Sequence, residues 1–245
     1  MPRTSPNVPR RGLSANVIVT IVIVVVAVLV IGGVLLFNRS GEESTDTGTG
    51  EIPVELRAGP DSNTLTTAPG NKVTLVEFLD FQCPACAAYY ENVTNGIETD
   101  YAGRITFVTR NFPLDTHPLA QPAARAAEAA ANQGKYREMY HALYDNYQEW
   151  AISDDGKQLS DDEPRAATFF DRYATTIGLD LDRFHTDQAS PGVQERIDAD
   201  VAAGQAVGVD STPSFFVNGK RFRPSGDQVT DVDDQLRQLL DEAIG

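Results

Sequence analysis

The sequence predicts an α/β domain ordered βαβ, helical insert, ββα, behind one N-terminal transmembrane helix. Three observations carry this. A nearly continuous apolar stretch at 72–81 runs straight into Cys83-Pro84-Ala85-Cys86. The pair Asn218-Gly219 separates two short β-prone segments near the end. Residues 17–37 form a 21-residue run almost free of polar side chains.

That run is long enough to cross a bilayer as a helix. Its many β-branched residues would favour a strand in water, but in lipid every backbone group must be satisfied within the segment, which enforces a helix. Arg3, Arg10 and Arg11 precede it and no acid occurs before Glu42. The positive-inside rule then places residues 1–16 in the cytoplasm and everything after the anchor outside, giving a single-pass protein of the cell membrane. A cleaved signal peptide is the rival. It should have a shorter apolar core followed by a small-x-small site, and Leu35-Leu36-Phe37-Asn38-Arg39-Ser40 offers a poor one. The Arg10-Arg11 pair fits twin-arginine export poorly. Residues 38–71 are dominated by Gly, Ser, Thr, Pro and acids, and read as a flexible linker.

Residues 72–245 form one domain of ordinary size. The apolar stretch 72–81 suits a central strand covered on both faces. Pro84 suits the first turn of the helix that follows, which runs towards Ile97. A second strand covers 104–109, and a crossover at this spacing makes the two strands parallel. An insert at about 115–208 reads as helices at 120–131, 136–150, 165–177 and 191–207. Tyr136, Tyr140, Leu143, Tyr144 and Tyr147 recur at helical spacing and read as core packing, as does Trp150. Asn-Gly is the preferred pair for a type I′ hairpin turn between 214–217 and 220–222. An amphipathic helix closes the chain, with Val232, Leu236, Leu239 and Leu240 on one side.

The net charge is −15, from 20 basic and 35 acidic residues. Four of the basic residues lie at the anchor, so 16 face all 35 acids outside it and leave that part at −19. This argues against nucleic acid and against an anionic membrane surface as partners. The clusters Asp154-Asp155 and Asp161-Asp162-Glu163 serve solubility, and no calcium-loop pattern surrounds them.

The chain has two cysteines, three apart. A structural zinc site needs four ligands, and no second pair supplies them. Covalent haem attachment needs a His after the second Cys, where Ala87 stands. A structural disulfide here would close too short a loop to stabilise much. A redox-active dithiol remains, with an inert pair as the alternative. No metal and no cofactor are expected.

With this order of elements the chain resembles the thioredoxin superfamily, and more narrowly the DsbA-like thiol–disulfide oxidoreductases. The residues behind the resemblance are 76–86, Asn111-Phe112-Pro113-Leu114 leading to His117-Pro118, and 208–219. It implies a thioredoxin fold with a central mixed sheet and an inserted helical domain. It implies that Cys83 is the exposed, low-pKa nucleophile at the helix N-terminus and that Cys86, one turn in, is its buried resolving partner. Pro213 falls where the family has a cis-proline facing the dithiol, and Thr212 would touch the sulfurs. Glu77 falls where relatives carry a buried acid, a proton acceptor for Cys86; the alternative is a strand residue whose carboxylate reaches solvent. Pro84 and Ala85 complete the motif. The strongest oxidants of the family have His where Ala85 stands, so a less extreme potential is expected. His117 reads as end-capping or packing, and His141 and His185 as structural.

The implied activity is donation of the Cys83–Cys86 disulfide to reduced exported proteins, with reoxidation by a quinone-reducing membrane partner. Two alternatives stand beside it. One is an anchored reductase or isomerase. The other is a chaperone or binding module with a vestigial dithiol.

Overall fold

The computed structural model describes residues 51–53, 57–59, 62–70, 73–226 and 228–245. The expected cytoplasmic segment 1–16 and anchor 17–37 lie outside the described residues. Among the described residues no helix is long and apolar enough to cross a membrane.

Five strands form one mixed sheet: β1 (Asn63–Thr66), β2 (Thr74–Leu79), β3 (Thr106–Asn111), β4 (Ser214–Val217) and β5 (Lys220–Arg221), in the order β1-β3-β2-β4-β5. The β2–β3 pair is parallel and the other pairs are antiparallel. β2 is therefore the middle strand, which explains its unbroken apolar run: it is paired on both edges and covered on both faces. Successive side chains alternate between those faces. Leu75 and Leu79 join a large core with Phe107, Phe215 and the helical insert, while Val76 and Phe78 meet Val108, Phe112 and Phe216 in a smaller one.

The parallel connection from β2 to β3 is made by α1 (Pro84–Tyr89), a π-turn (Tyr90–Thr94) and α2 (Asn95–Asp100). The insert follows as α3 (Ala120–Ala131), α4 (Tyr136–Asp145), α5 (Tyr147–Trp150), α6 (Glu163–Thr176), α7 (Leu181–Gln188) and α8 (Pro191–Ala206). Small side chains let α3 pack closely: Ala123, Ala126, Ala127 and Ala130 are fully buried. The starts of α6, α7 and α8 are set by Asp162, Asp180 and Ser190. Their side chains accept from the backbone N–H groups of Arg165, Arg183 and Val193. Trp150 is fully buried, and its indole N–H donates to the Leu143 carbonyl at 2.8 Å. α9 (Val229–Ile244) closes the chain with Val232, Leu236 and Leu240 buried and Leu239 only partly so.

Three expectations are corrected. The segment 38–71 is not a tether throughout, because β1 lies in it and supplies the antiparallel neighbour of β3. Its polar side chains find partners instead of water. Thr66 Oγ1 donates to the Ile105 carbonyl at 2.9 Å, and the Asn63 amide to Glu128 at 2.5 Å. Leu65 is 5% exposed. Ile52 is fully buried, and its N–H donates to the Gly219 carbonyl. Second, α8 covers the second face of the sheet. A Cβ at Gly204 would lie 2.8 Å from the Phe112 ring, so the helix approaches as closely as only glycine permits. The end of the expected insert thus serves the sheet itself. Third, the helix expected over 136–150 breaks at Asn146, and α7 is an addition. Its sequence is polar enough to hide from a periodicity reading, since only Phe184 is buried.

If β1 is part of the core, Leu65→Ala lowers stability by about 2–4 kcal/mol in urea unfolding. A tether would tolerate the change within roughly 0.5 kcal/mol.

Candidate active site

β2 delivers the chain to a short turn, 80–83, and α1 begins directly after it. Cys83 is the N-cap, with φ −66° and ψ 123°, and Pro84 occupies the first turn, where its missing N–H is no loss. The Cys83 N–H donates to the Asp80 carbonyl at 3.1 Å, and the Ala87 N–H donates to the Cys83 carbonyl at 3.1 Å. Both cysteines are free thiols. Pro84 and Ala85 are exposed, and Cys86 turns inward at 1% exposure.

Cys83 is not exposed as the sequence suggests. It is 5% exposed, because the loop before β4 closes over it. The Thr212–Pro213 peptide bond in that loop is cis, and Cys83 Sγ donates to the Thr212 carbonyl at 3.4 Å. Thr212 Oγ1 is buried with no hydrogen-bond partner among the described residues.

The two sulfurs differ sharply in acidity. Cys83 is lowered to about 6, chiefly by hydrogen bonding from the Cys86 thiol; burial opposes this, while the N–H groups of Cys86 and Ala85 add to it. These N–H groups belong to the first turn of α1, where the helix leaves donors unpaired and favours negative charge. Cys86 moves the other way. Burial raises it well above the ordinary thiol value, with further contributions from Cys83 and from the charge on Glu77.

Glu77 lies on β2 between Thr109 of β3 and Phe215 of β4, at 1% exposure. Alternation puts it on the same face as Leu75 and Leu79, in the larger core. The reading in which its carboxylate reaches solvent is thereby set aside. Its Oε2 has no hydrogen-bond partner among the described residues. Burial raises its carboxyl to about 8, with a further contribution from the charge of Cys83. A carboxyl left neutral at pH 7 is available to hold or release a proton.

Several residues at the site escaped the sequence reading. Asp80 and Gln82 are 1% and 0% exposed. Asp80 accepts from the Gln82 N–H at 2.8 Å, the Leu114 N–H at 2.9 Å and the His117 ring at 2.6 Å. The Gln82 side chain accepts from the Leu119 N–H and donates to the Ala151 and Ser160 carbonyls. Tyr144 and Tyr147 donate to the carbonyls of Asp80 and Gln82. The available signal was two polar residues inside an apolar stretch. His117 is thus a partner of Asp80 rather than an end cap, whereas His141 and His185 pair with Glu98 and Asp171 away from the dithiol.

Two grooves flank α1. One of about 270 Å³ is lined by Tyr89, Pro213, Phe215, Phe222 and Val232. The other, of about 510 Å³, is lined by Pro84, Ala87, Tyr90, Tyr144 and Ile152.

A thioredoxin family model matches residues 67–242, which takes in the dithiol, the insert and the Thr212–Pro213 loop. The chain belongs to the thioredoxin family. Its mixed-sheet thioredoxin-like fold carries a helical insertion. A thioredoxin-like oxidoreductase from Silicibacter pomeroyi DSS-3 is 29% identical, with a TM-score of 0.57 over 75% of this chain and 92% of that one. The thiol–disulfide exchange protein alpha-DsbA2 from Wolbachia pipientis shares the fold at 21% identity, with a TM-score of 0.58 over 77% of this chain and 90% of its own. In sequence, a protein from Salinispora tropica named as Na(+)/H(+) antiporter NhaA 3 is 38% identical over 173 residues. That match covers 70% of this chain but only 24% of the antiporter's length.

The opposed shifts give the reduced protein a defined pH behaviour. Cys83 is depressed, so between about 6 and its ordinary 9.0 the unfolded chain binds more protons, and this contribution to stability is lost as pH falls through about 6. Oxidised protein lacks that titration, so the stability of reduced over oxidised protein should rise from about pH 6 to pH 8 in paired denaturation curves. Glu77 has the opposite sign. Its contribution is full below 4.5 and is lost as pH rises through about 8, so Glu77→Gln should flatten that fall in both redox forms.

Proposed function

We propose that this chain is an extracytoplasmic thiol–disulfide oxidoreductase that donates the Cys83–Cys86 disulfide to exported proteins. The supporting observation is the split between the sulfurs: Cys83 is lowered to about 6, and buried Cys86 is raised. A stabilised Cys83 thiolate favours the reduced enzyme, and so makes the oxidised enzyme the donor.

The exchange follows from that split. A client thiolate attacks the Cys83 sulfur, the Cys83–Cys86 bond breaks and a client–Cys83 disulfide forms. Cys86 leaves with the electron pair and takes a proton, which neutral Glu77 supplies. A second client thiolate then attacks the client's sulfur in the mixed disulfide. Cys83 departs as a stabilised thiolate, the client is oxidised by two electrons and the dithiol is reduced by two. The loop at Thr212–Pro213 and the adjoining groove, whose lining mixes Tyr89, Phe215 and Phe222 with Ser211, Ser214 and Arg221, offer a place for an extended client segment beside Cys83.

The reduced dithiol must then pass two electrons on, and a quinone-reducing membrane partner is the proposed acceptor. The location at the membrane rests on the apolar run 17–37 and the basic residues before it. A related domain within a protein named as an antiporter agrees with work at a membrane.

Equilibration with glutathione tests the direction. The expected potential lies above thioredoxin's, about −270 mV, and below the strongest oxidant's, about −120 mV, since Ala85 lacks the imidazole of those oxidants. A value at or below −270 mV points to a reductase. Separately, Cys86→Ala should accumulate mixed disulfides through Cys83 on exported proteins in cells. Their absence would remove the enzymatic reading altogether.

A further inference from the structure

His117 is the only imidazole tied to the turn that carries Cys83, among the described residues. It lies at the entry to the insert, 34 positions from the cysteine in sequence, yet the fold clamps the two segments together. Three hydrogen bonds do this. The Leu114 N–H and the His117 ring both donate to Asp80 Oδ2, and the Leu119 N–H donates to Gln82 Oε1 at 2.6 Å. Asp80 in turn reaches Cys83 through its backbone, accepting the Cys83 N–H.

The chemistry of this pair is specific. The Asp80 side chain is 0% exposed and that of His117 is 13% exposed. A carboxylate in such a place needs a charged or hydrogen-bonded partner, and the imidazole supplies both. Asp80 occupies Nδ1 of the ring, and Nε2 has no hydrogen-bond partner among the described residues. His117 meets the Asp80 carboxylate at the end of β2, and the charge of Cys83 at the start of α1 acts on it from the same turn. From the insert come the phenols of Tyr144 and Tyr147, which bond the Asp80 and Gln82 carbonyls and stay protonated, because burial raises both. Hydrogen bonding to Asp80 raises His117 above its ordinary value against the opposing effect of its own burial, and the charge of Cys83 raises it further.

We propose that the Asp80–His117 pair is a positioning device for the dithiol, in which Asp80 fixes the imidazolium and its positive charge favours the Cys83 thiolate. It supplies from the insert a charge that Ala85 cannot supply from within the motif. Its effect adds to the local hydrogen bonds, which remain the main cause of the Cys83 shift. The proposal rests on Cys83 being the ionising sulfur of the exchange reaction, and not on the direction of electron flow.

Coupling between two sites is reciprocal: if protonated His117 favours the thiolate, the thiolate must favour protonated His117 to the same degree. Two measurements on the full chain follow. The first is the ultraviolet titration of the Cys83 thiolate in wild type and in His117→Asn. That variant keeps a side-chain donor for Asp80 and removes the charge. The Cys83 ionisation constant should fall about three- to tenfold. The second needs no variant. The chain has three histidines, so NMR titration of the His117 ring is tractable, and its midpoint should be higher in reduced than in oxidised protein by a matching factor. An unmoved Cys83 titration overturns the proposal. So does an unmoved His117 midpoint, even where His117→Asn alters Cys83, since the variant would then act through structure alone. A wild-type potential at or below about −270 mV overturns the oxidase reading and leaves both titrations unaffected.

Discussion

One turn of helix separates two sulfurs whose protons the fold holds with opposite strength, and the rest of the structure depends on this asymmetry. A thiolate is stable only where donors or positive charge meet it, and a thiol resists ionisation where burial removes water. The central strand supplies both conditions. It carries the chain to the rim of the sheet, where α1 begins with its unpaired N–H groups facing Cys83, and it places the core directly under Cys86. Shifting the start of α1 by one residue would bring a different residue to the cap and lose the arrangement. Pro84 in the first turn, with the Asp80 carbonyl holding the Cys83 N–H, fixes that start.

Glu77 shows what the asymmetry demands of stability. A carboxyl at 1% exposure with an unpartnered oxygen is unfavourable in any core, and an apolar residue would pack better there. Its place makes sense when the exchange is considered. Cys86 must gain or lose a proton each time the disulfide opens or closes, and it lies buried at 1% exposure. A neutral carboxyl near 8 on the adjoining strand offers a proton at physiological pH without adding a permanent charge to the core. Glu77, Cys83 and Cys86, each with perturbed acidity, thus lie together at the reactive centre.

Local chemistry determined what could be read from the sequence. The middle strand, the Pro84 helix start and the Asn218-Gly219 hairpin follow from short-range rules, and all three appear in the fold. The pairing of β1 with β3 does not. Its residues look like linker because they are polar, and they are ordered by partners such as Glu128 and Ile105 that sequence spacing cannot associate. The helix Leu181–Gln188 was hidden for the same reason, with a single buried apolar residue to mark it. At the site, the cysteines were readable from their spacing, and Glu77 and the Thr212–Pro213 pair through a family resemblance. Asp80 and His117 were visible as residues but not as a pair, because only the return of the insert entry to the end of β2 brings them together. The cover over Cys83 was misjudged because exposure there depends on a loop 129 positions away.

The helical insert is therefore more than an addition to a self-sufficient fold. The turn before Cys83 carries buried polar groups that a bare sheet and crossover would leave unsatisfied. The insert and its flanking segment meet them: Leu114 and His117 reach the Asp80 carboxylate, Leu119 reaches the Gln82 side chain, and Tyr144 and Tyr147 reach the two carbonyls. Buried polar networks are rigid only when every member is satisfied. Removing the insert would leave the Asp80 carboxylate and the Gln82 amide to be hydrated or abandoned, and the turn that presents Cys83 would lose its fixed geometry. The reactive sulfur thus takes its donors from α1, its cover from the loop before β4 and its mounting from the insert, so the chemistry of one thiolate sets a condition on its own helix and on two distant stretches of chain.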